Sequence, residues 1–108
     1  MLPEFDRNWA SMGLNDNDLR RLQEELLFNP EKGDVMQGTG GLRKLRFAFE
    51  GKGKSGSVRV CYVDFAIYES IYLITAYPKS EKDNLSKSER NSIAKLIKAL
   101  ESALSDKE

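Results

Sequence analysis

The chain contains no histidine and only one cysteine. Histidine is the commonest general base near neutral pH and the commonest metal ligand, so neither a histidine-driven mechanism nor a zinc centre is expected, and no cofactor is called for. The lone Cys61 cannot form an internal disulfide, and its neighbours Val60 and Tyr62 place it inside a strand. No apolar run approaches the roughly 18 residues that a membrane helix requires. The opening Met1-Leu2-Pro3-Glu4 lacks the basic and then apolar regions of a secretion signal. Together these features point to a cytoplasmic protein without membrane contact. A phosphate-binding loop is also missing, because Gly38-Thr39-Gly40-Gly41 runs into a strand pattern, whereas such loops open into a helix.

There is no net charge either, with 17 basic and 17 acidic side chains, but the balance is uneven along the chain. Residues 1–36 carry a net −4, residues 37–62 a net +5 and residues 63–108 a net −1. A concentrated basic stretch in a neutral protein points to a local anionic contact such as phosphate, although composition alone favours the plainer reading of a solvated, lysine-rich hairpin. At 108 residues the chain suits one domain, spanning 1–108, and it shows neither a repeat nor a linker.

The N-terminal part predicts two helices, Glu4–Met12 and Asp16–Phe28, broken at Gly13. Asn15 is a good N-cap, Asp16 and Asp18 suit the first turn, and Leu19, Leu22, Leu26 and Leu27 form an apolar stripe. Asn29-Pro30 ends the second helix, since a residue before proline is pushed out of the helical region. From Gly38 the period changes from helical to two. Leu45, Phe47 and Phe49 share one face of a strand, and Lys44, Arg46 and Ala48 share the other. The glycine-rich Glu50–Ser57 reads as a hairpin loop. Val58–Phe65 and Ile71–Tyr77 are β-branched and aromatic enough to be the next two strands of an antiparallel meander. Ser86-Lys87-Ser88-Glu89 has the form of a capping box, and Ile93, Leu96, Ile97, Leu100 and Leu104 form the stripe of a last helix that should close over the sheet. The fold class is therefore α+β, with two N-terminal helices, a small, mainly antiparallel twisted sheet and a C-terminal helix.

The acidic pairs Asp16/Asp18 and Glu24/Glu25 lie on a solvated helix face and read as structural. What remains for chemistry is cationic. Lys44 and Arg46 point the same way from their strand, a neighbouring antiparallel strand would bring Arg59 beside them, and Lys79 follows the third strand. Opposed cross-strand side chains lie about 5 Å apart, so such a cluster costs stability unless an anion fills it.

The run Asn29-Pro30-Glu31-Lys32-Gly33-Asp34-Val35-Met36-Gln37-Gly38-Thr39-Gly40-Gly41-Leu42-Arg43-Lys44-Leu45-Arg46, with Gly51-Lys52-Gly53-Lys54-Ser55-Gly56, Arg59-Val60-Cys61-Tyr62 and Tyr77-Pro78-Lys79 after it, resembles the HigB-type branch of the RelE/ParE toxin superfamily. The resemblance runs from about Phe5 to Leu104. It implies a toxin of a type II toxin–antitoxin module, acting as a metal-independent endoribonuclease that cuts mRNA in the ribosomal A site. It also implies a cognate antitoxin with a helix-turn-helix domain, through which alone the pair would reach operator DNA. Lys44, Arg46, Arg59 and Lys79 fall at the catalytic positions, and Arg43, Lys52, Lys54, Tyr77 and Lys82 at RNA or ribosome contacts. Relatives begin with a short strand where only Met1–Pro3 precede the first helix here, carry a second basic residue where Ser80 stands, and place an aromatic beyond Tyr77.

A histidine-free nuclease can let the RNA's own 2′-hydroxyl attack the adjacent phosphate, giving a cyclic phosphate and a free 5′-hydroxyl. An ordinary lysine, with a pKa of about 10.4, is a poor base at neutral pH, and crowding by cations lowers that value. Arg59 suits the phosphate in the transition state, and Lys44 or Lys79 the proton transfers. Two other readings remain open: a gyrase inhibitor of the ParE kind, which cuts no RNA, and a degenerate toxin acting only as an antitoxin-binding regulator.

Overall fold

The computed structural model describes residues 2–48, 57–78 and 84–106. Helix α1 spans Pro3–Ser11, with the proline in its first turn and Gly13 beyond its end at φ +77°. Helix α2 spans Asp16–Phe28 behind a reciprocal cap, in which Asn15 Oδ1 accepts from the Asp18 amide at 3.0 Å and Asp18 Oδ2 accepts from the Asn15 amide at 3.1 Å. That reciprocity is why Asp18, an aspartate in a first turn, is buried. Trp9 joins the two helices by stacking on Phe5 at 5.3 Å and donating from Nε1 to the Asn15 carbonyl.

Four antiparallel strands come next, in the spatial order of the sequence: β1 (Asp34–Val35), β2 (Leu42–Ala48), β3 (Ser57–Phe65) and β4 (Ser70–Pro78). A 3-10 turn, Ala66–Tyr68, links the last two. Helix α3, Lys87–Asp106, starts at the expected capping box, with Ser86 Oγ accepting from the Glu89 amide and Glu89 Oε1 from the Ser86 amide. Among the described residues no helix is long and apolar enough to cross a membrane.

The sheet is the middle layer. Leu45, Phe47, Val58, Val60, Tyr62, Leu73 and Ala76 pack against Phe5, Trp9, Leu22 and Leu26 of α1 and α2. On the opposite face Leu42, Cys61, Val63, Ile74 and Tyr77 pack with Leu85 and with Ile97 of α3. Two stripe assignments are corrected. Leu27 is 74% exposed and Leu96 37%, because each lies about 100° around its helix from its buried neighbour, Leu26 or Ile97. Strand β1 has no signal in the sequence, since two residues are too few to show a period. It pairs Asp34 with Lys44 and Val35 with Arg43.

The β1–β2 turn explains the Gly38-Thr39-Gly40-Gly41 run. All three glycines have positive φ, and the fully buried Thr39 hydroxyl donates to the Met36 carbonyl at 2.6 Å and accepts from the Leu42 amide at 3.0 Å. A side chain at Gly40 would meet Ile97, so the turn seats α3 against the sheet.

Candidate functional site

Residues opposed across antiparallel strands point to the same face. The register opposes Arg46 to Arg59, and Arg59 in turn to Tyr77, so the three form one row across β2, β3 and β4. The next row is Lys44, Cys61 and Thr75. Because Leu45 and Phe47 belong to the α1/α2 core, Lys44, Arg46 and Arg59 lie on the α3 side of the sheet. Three cations from two neighbouring strands thus converge beside the apolar seat of α3.

Each is held differently. Arg46 is exposed and donates from Nε to the Ser57 hydroxyl at 3.3 Å. Lys44 is half-buried, and its ammonium donates to Oδ1 of Asn84 at 2.5 Å. Arg59 is half-buried on an inner strand with its Nε sealed from solvent. A side chain anchored at its stem on a paired strand is placed more firmly than one on a loop, and a guanidinium offers the planar fork that grips two phosphate oxygens at once. Beside the row, between α1, the end of β4 and the first turns of α3, lies a groove of about 620 Å³, with Ser57, Tyr77, Ser88 and Glu89 in its walls.

Other expected positions fall elsewhere. Arg43 alternates with Lys44 and so projects from the opposite face, where its Nη1 donates to the carbonyls of Gly33 at 2.8 Å and Glu31 at 3.3 Å. It braces the α2–β1 loop and does not join the cationic row. Tyr77 is only 5% exposed, with its ring in the α3-side core, so it presents no open face for a base to stack on. Lys52, Lys54, Lys79 and Lys82 lie outside the described residues, as does Phe49.

Two features escape the sequence patterns. Asn84 meets Lys44 from forty residues away, a contact that no local pattern announces. Tyr62 is fully buried, accepts from the Gly33 amide at 2.9 Å and donates to the Pro30 carbonyl at 2.7 Å. Burial pushes its hydroxyl above the ordinary tyrosine pKa, and the Gly33 hydrogen bond and the nearby Arg43 charge offset part of that rise. A β-carbon at Gly33 would stand 2.9 Å from the Tyr62 ring, so the glycine is required by close approach.

A comparison with protein families matches residues 3–108 to the model of the RelE toxin of the RelE/RelB toxin–antitoxin system.

Proposed function

Since the chain belongs to the RelE family of toxins of toxin–antitoxin systems, with an antitoxin as the partner that membership implies, we propose that it is an endoribonuclease cutting mRNA on the ribosome, of the HigB branch. The observation that carries this reading is the direct opposition of Arg46 and Arg59 on the face that also bears Lys44. Like charges set opposite each other are destabilising, and a dianionic transition state between them turns that cost into catalysis.

The 2′-hydroxyl of the nucleotide 5′ to the cut attacks its own phosphate. The bond to the next 5′ oxygen breaks, leaving a 2′,3′-cyclic phosphate and a 5′-hydroxyl. Arg59 holds the phosphate oxygens as negative charge builds on them, and Arg46 adds a second cation from across the strand pair. Lys44 and Lys79 are assigned the proton transfers, one taking the 2′-hydroxyl proton and the other supplying one to the leaving oxygen. Lys52, Lys54 and Lys82 are assigned to the backbone of ribosomal RNA. Neutralisation belongs to a cognate antitoxin with a helix-turn-helix domain, which also brings the pair to its operator, and the toxin works in the cytoplasm.

The test is to offer the purified toxin the same mRNA naked and programmed into ribosomes. Codon-phased cuts with cyclic-phosphate ends on the ribosome, and intact naked RNA, are expected. Efficient cutting of naked RNA would refute ribosome dependence.

A further inference from the structure

We propose that Asn84 is a positioning residue for Lys44: its amide oxygen fixes the lysine ammonium at the end of the Arg46–Arg59 row, so that a residue outside the sheet sets where the lysine's protons are exchanged. The inference rests on the nuclease reading above and adds to it a residue that neither the charge pattern nor the strand period identifies.

A lysine ammonium sits on a flexible four-carbon stem and surrenders about 2 kcal/mol of rotamer entropy when held in one place. Strand β2 therefore fixes where Lys44 starts but not where its charge ends. The 2.5 Å hydrogen bond to Asn84 supplies the second point. Asn84 is itself exposed, so the contact is not a by-product of packing. Its backbone is anchored by its C-terminal neighbours, with Leu85 only 5% exposed in the α3-side core and Ser86 closing the capping box with Glu89.

The chemistry of the acceptor matters. On the sheet, Lys44 is opposed by Asp34 of β1 and by Cys61 of β3, with Arg46 two residues along its own strand and Arg59 diagonally across. On the α3 side the ionisable groups that follow Asn84 in the chain are Lys87 and then Glu89, whose carboxylate is engaged by the Ser86 amide in the cap. The sequence neighbours Glu81, Lys82 and Asp83 add charges of both signs just before Asn84. An amide holds the ammonium through a charge-assisted hydrogen bond without bringing another negative charge to a site that must receive a phosphate.

The experiment compares full-length wild type with Asn84→Leu, which keeps the size and loses the acceptor, and Asn84→Asp, which keeps an acceptor. On programmed ribosomes Asn84→Leu should lower the single-turnover cutting rate about tenfold with ribosome affinity unchanged, and Asn84→Asp, which restores an acceptor but adds the negative charge that the amide avoids, should recover only part of that loss. Adding Asn84→Leu to Lys44→Met should cost nothing more, since a residue acting through another has no effect once that other is gone. Nitrogen relaxation of the Lys44 ammonium reads the contact without any cutting: it should be restrained in wild type and Asn84→Asp and measurably more mobile in Asn84→Leu. Wild-type rates from Asn84→Leu, further loss in the Lys44→Met background, or a wild-type Lys44 ammonium as loose as those of the exposed Lys95 and Lys98 would each overturn the proposal. If wild type cuts no RNA, the nuclease reading falls, and the relaxation data alone then decide whether Asn84 holds Lys44.

Discussion

Arg43 and Tyr62 show how one residue's neighbours decide between function and support. They are opposed on β2 and β3 and face the α1/α2 side, where between them they clasp Pro30, Glu31 and Gly33. Replacing Tyr62 with Phe strands the Gly33 amide and the Pro30 carbonyl, and should cost about 2 kcal/mol at neutral pH, read by denaturant unfolding. The pH dependence comes from the raised pKa. A group that binds its proton more tightly when folded stabilises fully below its unfolded pKa, near 10.0, and that contribution is lost as pH climbs through the folded value. Wild-type stability should thus fall above about pH 10, and Tyr62→Phe should lose that component of the fall. Gly33→Ala meets the same ring and should be destabilising by about 1–3 kcal/mol through overpacking. Unchanged melting of the alanine variant would show that the clasp yields.

At the scale of elements, the long periodic segments are legible in the sequence and the short or irregular ones are not. The two N-terminal helices, the three main strands and the capping-box helix each carry a repeated pattern, and each stands within a few residues of its expected place. The placement of Lys44 and Arg46 on one face comes from the strand period alone. Strand β1 and the contact between Asn84 and Lys44 depend on register and chain reversal, which local pattern does not encode. Arg43 shows both sides of that line: the alternation of β2 sends Arg43 and Lys44 to opposite faces, whereas the hold of Arg43 on the Gly33 and Glu31 carbonyls depends on chain reversal. The turn at Gly38–Gly41 resolves in the other direction, since its glycines and its threonine prove architectural. Thr39→Val keeps the shape and removes both hydroxyl hydrogen bonds, and should lower stability by about 1–3 kcal/mol. Thr39→Ser should stay close to wild type in thermal melts.

At the scale of the whole molecule, the zero net charge conceals a division of labour. The acidic N-terminal third builds the helices on one side of the sheet, and the basic middle third places Lys44, Arg46 and Arg59 on the other. A ligand that binds only the folded state stabilises by mass action, so a phosphate site made of mutually repelling cations should reveal itself without RNA. Sulfate or phosphate should raise the melting temperature more than chloride at equal ionic strength, and Arg59→Ala should erase the difference. Equal melting in all three salts would argue against a built anion site.

The most direct test of the central claim maps the 5′ ends of messages in cells producing the toxin without its antitoxin, as wild type or as Arg59→Ala. The account predicts codon-phased cuts in translated messages with wild type and none with Arg59→Ala, which should still capture the antitoxin. Undiminished cutting by Arg59→Ala would contradict it, as would growth arrest with intact messages and damaged DNA, the signature of a gyrase poison.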